Sequence, residues 1–252
     1  MTGQHSESFR RLGAAFAVGG RRDERLRPGY PEQAVSWLVD STPVGGVAAD
    51  VGAGTGKLTA ALVAHNFDVV AVDPSADMLS QLHQQLPAVT TQVGTGEATV
   101  LAASTADLVT FAQSWHWVEP IAGAAEAARI IKPGGRAAWV WNFMDVREPW
   151  VAELGRIWHT LDGAEATDSA RHRPVLGDAF DAVDAITIDW AQPMRLVDLA
   201  DLVTTRSYYL NASPSEQDSI RAEVASFLKA RFPSAATIDL PYRAHCFGSR
   251  AT

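Results

Sequence analysis

The stretch AADVGAGTGKLT, residues 48–59, decides how the rest of the chain is read. Three glycines fall within five positions, directly after a run of small apolar residues. Backbone that bare is needed where a chain turns tightly or lets something approach closely. Two familiar glycine loops can be tested against it. A phosphate-cradling loop requires Gly-x-x-x-x-Gly-Lys-Ser/Thr, but Gly56-Lys57 is followed by Leu58, and Val51 stands five places before Gly56. A dinucleotide loop requires Gly-x-Gly-x-x-Gly/Ala; Gly52 and Gly54 fit, but Lys57 fills the third site and Gly56 comes one place early. A bulky residue where the helix must lie against the strand argues against a pyrophosphate.

Outward from this bend, apolar strands and amphipathic helices alternate. Strands are predicted over 46–52, 68–75, 90–96, 106–113 and 136–142, with helices over 57–66, 76–86 and 121–131 and a tight KPGG turn at 132–135. A further helix follows Pro31. Such alternation implies right-handed βαβ crossovers and a mainly parallel sheet with helices on both faces. Ligands of these sheets sit beyond the carboxyl ends of the strands, where strand order switches. The glycine bend, Asp73, residues 94–97 and residues 113–117 therefore converge on one edge.

After Asn142 the texture changes. Helices are predicted over 147–161, 196–210 and 215–232, and strands over 185–194 and 236–250, with Pro241 marking an edge or bulge. The expected organisation is one α/β domain over 1–252, with a seven-stranded sheet: a ligand-binding core at 28–142, a helical cap inserted at 143–183 over the site, and sheet completion with the substrate side at 184–252.

Bulk properties narrow the class. With 252 residues, 47% of them apolar, the chain can bury a substantial core. A net charge of −8 and no basic stripe argue against a nucleic-acid partner. Cys246 is the sole cysteine, so no intrachain disulfide or thiolate zinc cluster can form. The histidines have no paired ligand spacing, so no metal is expected. No apolar leader or membrane-length run is visible, which suggests a cytoplasmic chain with no membrane partner.

A ligand without phosphate would use the bend Asp50-x-Gly52-x-Gly54-x-Gly56 differently. Its bare backbone admits an amino-acid and ribose portion, and Asp50 at the strand end can face an amino group. Asp73 ends the second strand 21 residues after Gly52, where an acid can chelate ribose hydroxyls, and Pro74 fixes the turn. Met78 can lay its thioether on an adenine face, or equally serve as a core methionine. Gly96 and Glu97 suit an adenine edge; a solvated Glu97 is the alternative.

The series DVGAGTGKLT, VVAVDPSADML, VGTGEATVL, ADLVTFAQSWHWV and IIKPGGRAAWVWN, in this order, resembles the class I S-adenosylmethionine-dependent methyltransferases over about residues 28–142. RPGYP upstream and SWHWV after the fourth strand resemble the group that includes trans-aconitate and ubiquinone-biosynthesis-type methyltransferases. That group usually has Gly-x-Ala-Glu-x-Leu-Pro after the third strand, where this chain has Gly94-Thr95-Gly96-Glu97-Ala98-Thr99-Val100. The resemblance implies a Rossmann-like fold and S-adenosylmethionine as cofactor, with Arg27 and Tyr30 folding over its carboxylate. It implies in-line methyl transfer to a small-molecule acceptor, at oxygen or carbon, with a carboxylate among the candidates.

In that frame Gln113 contacts the methionine part and His116 is the candidate base, needed only if the acceptor must lose a proton. Trp115 and Trp117 flank it, one expected toward the core and the other toward the acceptor. Trp150, Arg206, Tyr208 and Tyr209 are candidate acceptor contacts, the arginine through a bidentate grip on carboxylate. Two alternatives stand beside this reading: a nicotinamide-dependent oxidoreductase, and a protein that binds S-adenosylmethionine without turnover.

Overall fold

The structure is a computed structural model and describes residues 26–158, 169–205 and 207–252. The described residues divide into two compact units, one of residues 29–142, 172–188 and 244–252, the other of residues 26–28, 143–158, 169–171, 189–205 and 207–243. The change of unit after Asn142 falls where the sequence texture changes. The expected cap is divided differently, because residues 172–188 rejoin the first unit.

Seven strands are present: β1 Val47–Val51, β2 Asp68–Asp73, β3 Thr90–Val93, β4 Ala106–Ala112, β5 Ile131–Met144, β6 Asp184–Arg195 and β7 Thr237–Arg250. They form one mostly parallel sheet in the order β3-β2-β1-β4-β5-β7-β6. β1 pairs in parallel with β2 and with β4, β2 with β3, and β4 with β5. Chain order runs outward from β1 through β2 to β3, then jumps to β4 on the other flank. The switch point lies between β1 and β4, so the residues that end these two strands flank the crevice.

The first unit carries helices α1 Glu32–Leu38, α2 Lys57–Ala64, α3 Ala76–Gln85 and α4 Pro120–Ile130. Small residues let the layers close together. In β1, Ala48, Ala49, Asp50 and Val51 are all buried, as expected of a strand covered on both faces. The buried stripe of α4 is Gly123, Ala124, Ala127 and Ile130. A Cβ on Gly123 would lie 2.2 Å from Val118 Cγ1.

Helix starts follow local chemistry. Ser75 caps α3 by accepting the Met78 N–H, and Glu119 caps α4 by accepting from Ile121 and Ala122, with Pro120 in the first turn. One expectation changes: KPGG is not a turn before the fifth strand. Ala106 pairs with Ile131 and Leu108 with Arg136, so residues 132–135 are an irregularity inside β5, accommodated by Gly134 at φ +78°.

The second unit is built on side chains. Its helices are α5 Pro149–Ile157, α6 Leu196–Leu202, α7 Ser207–Asn211 and α8 Pro214–Arg231. Leu26, Val151, Leu154, Trp158, Leu199, Leu202, Val224 and Leu228 form its core with Leu240 and Tyr242. The single helix expected over 196–210 is broken by a 3-10 turn at Val203–Thr205. Thr204 and Thr205 bond back to the carbonyls of Asp201 and Leu202, and a β-branched run with such back-bonding bends a helix. A capping box between Ser213 and Glu216 opens α8.

Candidate active site

The glycine bend is shaped by contacts that only glycine permits. Gly52 has φ +75° and donates its N–H to Val72 O at 2.8 Å. A Cβ there would lie 2.3 Å from Ser114 Cβ, while Ser114 Oγ donates to Val51 O at 2.8 Å. The ends of β1 and β4 are thereby locked together at the switch point. Gly54, at φ +56°, donates its N–H to Asp73 Oδ2 at 2.9 Å. Gly56, at φ +94°, starts α2, and a Cβ would meet Leu82 Cγ at 2.9 Å.

Asp73 is 8% exposed and takes the Ser75 N–H on Oδ1 at 2.8 Å. Burial raises its pKa above the ordinary aspartate value, and the N–H groups of Ser75 and Gly54 oppose the rise. Each oxygen keeps lone-pair capacity beyond its backbone bond. Pro74 is exposed beside it. Met78 is half-buried and outside the core; its Sδ lies 3.7 Å from where a Gly54 Cβ would be. An acid and a thioether thus flank one bare bend, which suits a nucleoside whose ribose carries free hydroxyls, since the carboxylate would repel a 2′-phosphate.

Asp50 requires a correction. It is fully buried, accepting from Thr59 Oγ1 at 2.6 Å and Thr110 Oγ1 at 2.9 Å. Both oxygens are engaged inside the protein, so the side chain fastens β1 to α2 and β4 instead of facing an amino group. Burial pushes its pKa up to about 6, with the two threonine hydroxyls opposing and Asp73 adding to the rise.

The other edges of the bend are positioned by hydrogen bonds. Gly94 N–H meets Asp73 O at 3.2 Å, and Thr95 and Ala98 bridge each other across a tight loop. Gly96 is buried, with Val118 Cγ2 at 2.5 Å from a Cβ position. Glu97 Oε1 accepts the Glu119 N–H at 2.8 Å and so ties this loop to the start of α4. Gln113 is exposed at φ +55°, its Nε2 donating to Asn142 O at 2.8 Å. Asn142 in turn donates Nδ2 to Gly29 O at 2.7 Å, holding the segment that carries half-buried Tyr30.

The turn Trp115–Trp117 splits the two tryptophans. Trp115 is 6% exposed, edge-on to Phe111 at 4.7 Å and to Trp139 at 5.5 Å, so it is a core residue and not an acceptor contact. Trp117 is 40% exposed, and its ring lies 4.7 Å from that of His116. The edge of His116 is exposed, yet crowding by protein atoms, and then His172, holds its pKa below the ordinary histidine value.

The remaining candidates belong to the second unit. Arg27 Nη2 donates to Thr205 O at 2.9 Å. One expectation is corrected by packing: Tyr209 is 4% exposed in the core. Half-buried Trp150 meets Phe232 edge-on at 5.1 Å. Arg206 and the side chain of Tyr208 lie outside the described residues. Among the described residues, no group of three or more His, Cys, Asp or Glu could hold a metal ion, and no helix is long and apolar enough to cross a membrane.

A methyltransferase domain family matches residues 49–139, which span the bend, Asp73 and the turn after β4. Uncharacterized methyltransferases of Mycobacterium bovis and Mycobacterium tuberculosis are 38% identical over 242 residues, covering 95% of this chain and 96% of theirs. The chain belongs to the class I S-adenosylmethionine-dependent methyltransferases. A fission-yeast relative, also an uncharacterized methyltransferase, is 28% identical over 232 residues, covering 90% of this chain and 92% of its own. A solved structure from Anaeromyxobacter dehalogenans, named for a type II methyltransferase, shares the fold at a TM-score of 0.66 and 24% identity, over 89% of this chain and 97% of that one.

For a methyltransferase, sequence reasoning missed Ser114, Thr59, Thr110 and Asn142, which hold the site without facing it. Asn142 had a signal: it is the polar residue that ends the apolar run WVWN. Thr110 had none, since it lies 60 residues from the acid it serves.

Proposed function

We propose that this methyltransferase acts on a small organic molecule, at oxygen or carbon, at the carboxyl edge of β1, β2 and β4. The observation that carries the reading is the 2.9 Å bond from Gly54 N–H to Asp73, which joins the bare bend to an acid with acceptor capacity to spare. When bound, S-adenosylmethionine supplies a methyl group on positive sulfur with a good leaving group behind it. Asp73 would hold the ribose hydroxyls, with Pro74 fixing the turn and Met78 against adenine. Gly96 and Glu97 would border the adenine edge. The bend from Gly52 to Gly56 would admit the methionine arm, with Gln113 and Tyr30 toward its end.

The chain's own task is to orient the acceptor, and orientation alone can supply ~7–11 kcal/mol of the barrier. His116 suits an acceptor that arrives with a proton. Its pKa is lowered, chiefly by crowding from protein atoms, which favours the neutral imidazole, the form that accepts one. A carboxylate acceptor needs no base, and Trp117 would then share with His116 the role of wall.

The test is calorimetry with S-adenosylhomocysteine and with a nicotinamide dinucleotide. The expected result is binding of the first alone, with Asp73→Ala weakening it by roughly tenfold or more, a loss of about 1.4 kcal/mol or above. Unchanged affinity in Asp73→Ala would overturn the ribose assignment. Binding of the nicotinamide cofactor alone would revive the oxidoreductase reading. S-Adenosylhomocysteine binding with no turnover across a metabolite library would point to a binding protein.

A further inference from the structure

Three segments distant in sequence are tied together at the carboxyl ends of β4 and β5, and Asn142 takes part in both ties. It is 8% exposed, near the end of β5. Its main-chain oxygen accepts from Gln113 Nε2 at 2.8 Å, and its side-chain Nδ2 donates to Gly29 O at 2.7 Å. Gln113 directly follows β4 and takes φ +55°, a left-handed conformation that residues with a side chain seldom adopt. The N–H of Gln113 bonds to Val140 O at 2.9 Å, so β5 holds this residue by main chain and side chain alike. Gly29, on the other side, is followed directly by half-buried Tyr30. Both oxygens met by these amides are carbonyls, which only accept, so the donor ends of Gln113 and Asn142 must face them. Leucine at 142 would offer no donor, and aspartate would set oxygen against oxygen.

We propose that Asn142 is a positioning residue for the cofactor: its side-chain amide, by holding the Gly29 carbonyl, sets Tyr30 beside the methionine arm. The proposal rests on the reading of Tyr30 as a neighbour of that arm. The main chain of Asn142 holds Gln113 whatever side chain stands at 142; only the side chain holds Gly29. A substitution at 142 therefore separates the two: the Gln113 side of the arm keeps its anchor, and the Tyr30 side loses it. An amide also has no proton to gain or lose in the neutral range, so this hold is the same at every working pH.

The experiment is a double-mutant cycle between Asn142→Asp and Tyr30→Ala, read by S-adenosylhomocysteine calorimetry at neutral pH. Asn142→Asp is expected to weaken binding roughly tenfold, since the bond to Gly29 is lost and a carboxylate then faces the carbonyl. Tyr30→Ala is expected to weaken it as well, and the double variant no further than the larger single loss, because Asn142 acts through Tyr30. A merely structural role would add its loss to that of Tyr30→Ala. Additive losses, or unchanged affinity in Asn142→Asp, would overturn the proposal; unchanged affinity in Tyr30→Ala would remove the reading on which it rests. Should Asn142→Asp not fold, Asn142→Ser takes its place in the cycle. A second measurement needs no cofactor. With 3-fluorotyrosine at the four tyrosines, Tyr30→Phe identifies the 19F signal of Tyr30. Asn142→Asp is expected to shift that signal toward the position of free fluorotyrosine and to leave the other tyrosine signals in place. A Tyr30 signal that stays, or four signals that move together, would overturn the proposal. Failure of wild type to bind S-adenosylhomocysteine removes the cofactor assignment, while the 19F signals still decide whether Asn142 places Tyr30.

Discussion

The two units of this chain solve different problems with different parts of the residue. In the first, what is absent matters: Gly52 is where it is because Ser114 occupies the space a side chain would need. In the second, what is present matters: Trp158, Leu202 and Val224 are fully buried, and their volume is the unit. A site for a small ligand is made by backbone brought close at strand ends; a core is made by side chains filling space. The two kinds of region should therefore fail differently when changed.

The largest difference is expected between Gly52→Ala and Leu202→Ala. The alanine methyl at Gly52 meets Ser114 and sits at φ +75°. Left-handed strain and overpacking together should cost ~2–5 kcal/mol. Urea unfolding should register that loss, and calorimetry should find S-adenosylhomocysteine binding abolished. Leu202→Ala should lose ~2–5 kcal/mol as well, through a cavity, but leave the affinity unchanged. Gly29→Ala meets nothing within 4 Å and is the control, expected to alter neither. Equal losses of affinity in Gly52→Ala and Leu202→Ala would erase the distinction between the units.

That difference explains how much was legible in sequence. Glycines at forced positions announce themselves, and so does an acid at a strand end; the bend, the strand-ending position of Asp73 and the succession of strands along the chain could be read directly. Packing partners distant in sequence could not. Trp115 and Trp117 look alike in SWHW, and only the presence of Phe111 and Trp139 puts the first in the core. Tyr209 looked available for an acceptor because the core residues that bury it, such as Val224, come from elsewhere in the chain. The apparent turn KPGG became an irregularity of β5 because a pairing partner, Ala106, holds Ile131 in the sheet before it.

Asp50 sharpens the comparison at an intermediate size. Its pKa in the folded chain, about 6, lies above the ordinary value of 3.8. Its stabilising contribution is therefore fully present below pH 3.8 and is lost as pH rises through about 6. At 1.36 kcal/mol per unit, the shift corresponds to at most about 3 kcal/mol. Wild-type stability should carry this downward slope between pH 4 and 7, and Asp50→Asn should flatten it. An identical slope in the variant would show that the carboxylate is not buried as described.

The smallest effect is expected at the second unit's surface ion pairs. Arg147 reaches Asp145 and Asp189, and Arg243 also reaches Asp189. Asp145 is buried, but the Arg147–Asp189 pair is about half exposed on both sides and is screened by salt. Asp189→Asn should leave the urea midpoint nearly unchanged at high ionic strength. A large loss there would mean that charge, not apolar packing, holds this unit together.

The central claim is that the bend from Gly52 to Gly56 grips an adenosyl group through Asp73. A crystal structure with S-adenosylhomocysteine tests it most directly. The account predicts the amino-acid arm against Gly52 and Gly54, and both ribose hydroxyls within hydrogen-bond distance of the Asp73 carboxylate. Adenosyl density lying elsewhere, with the bend empty and Asp73 touching only Gly54 and Ser75, would contradict it.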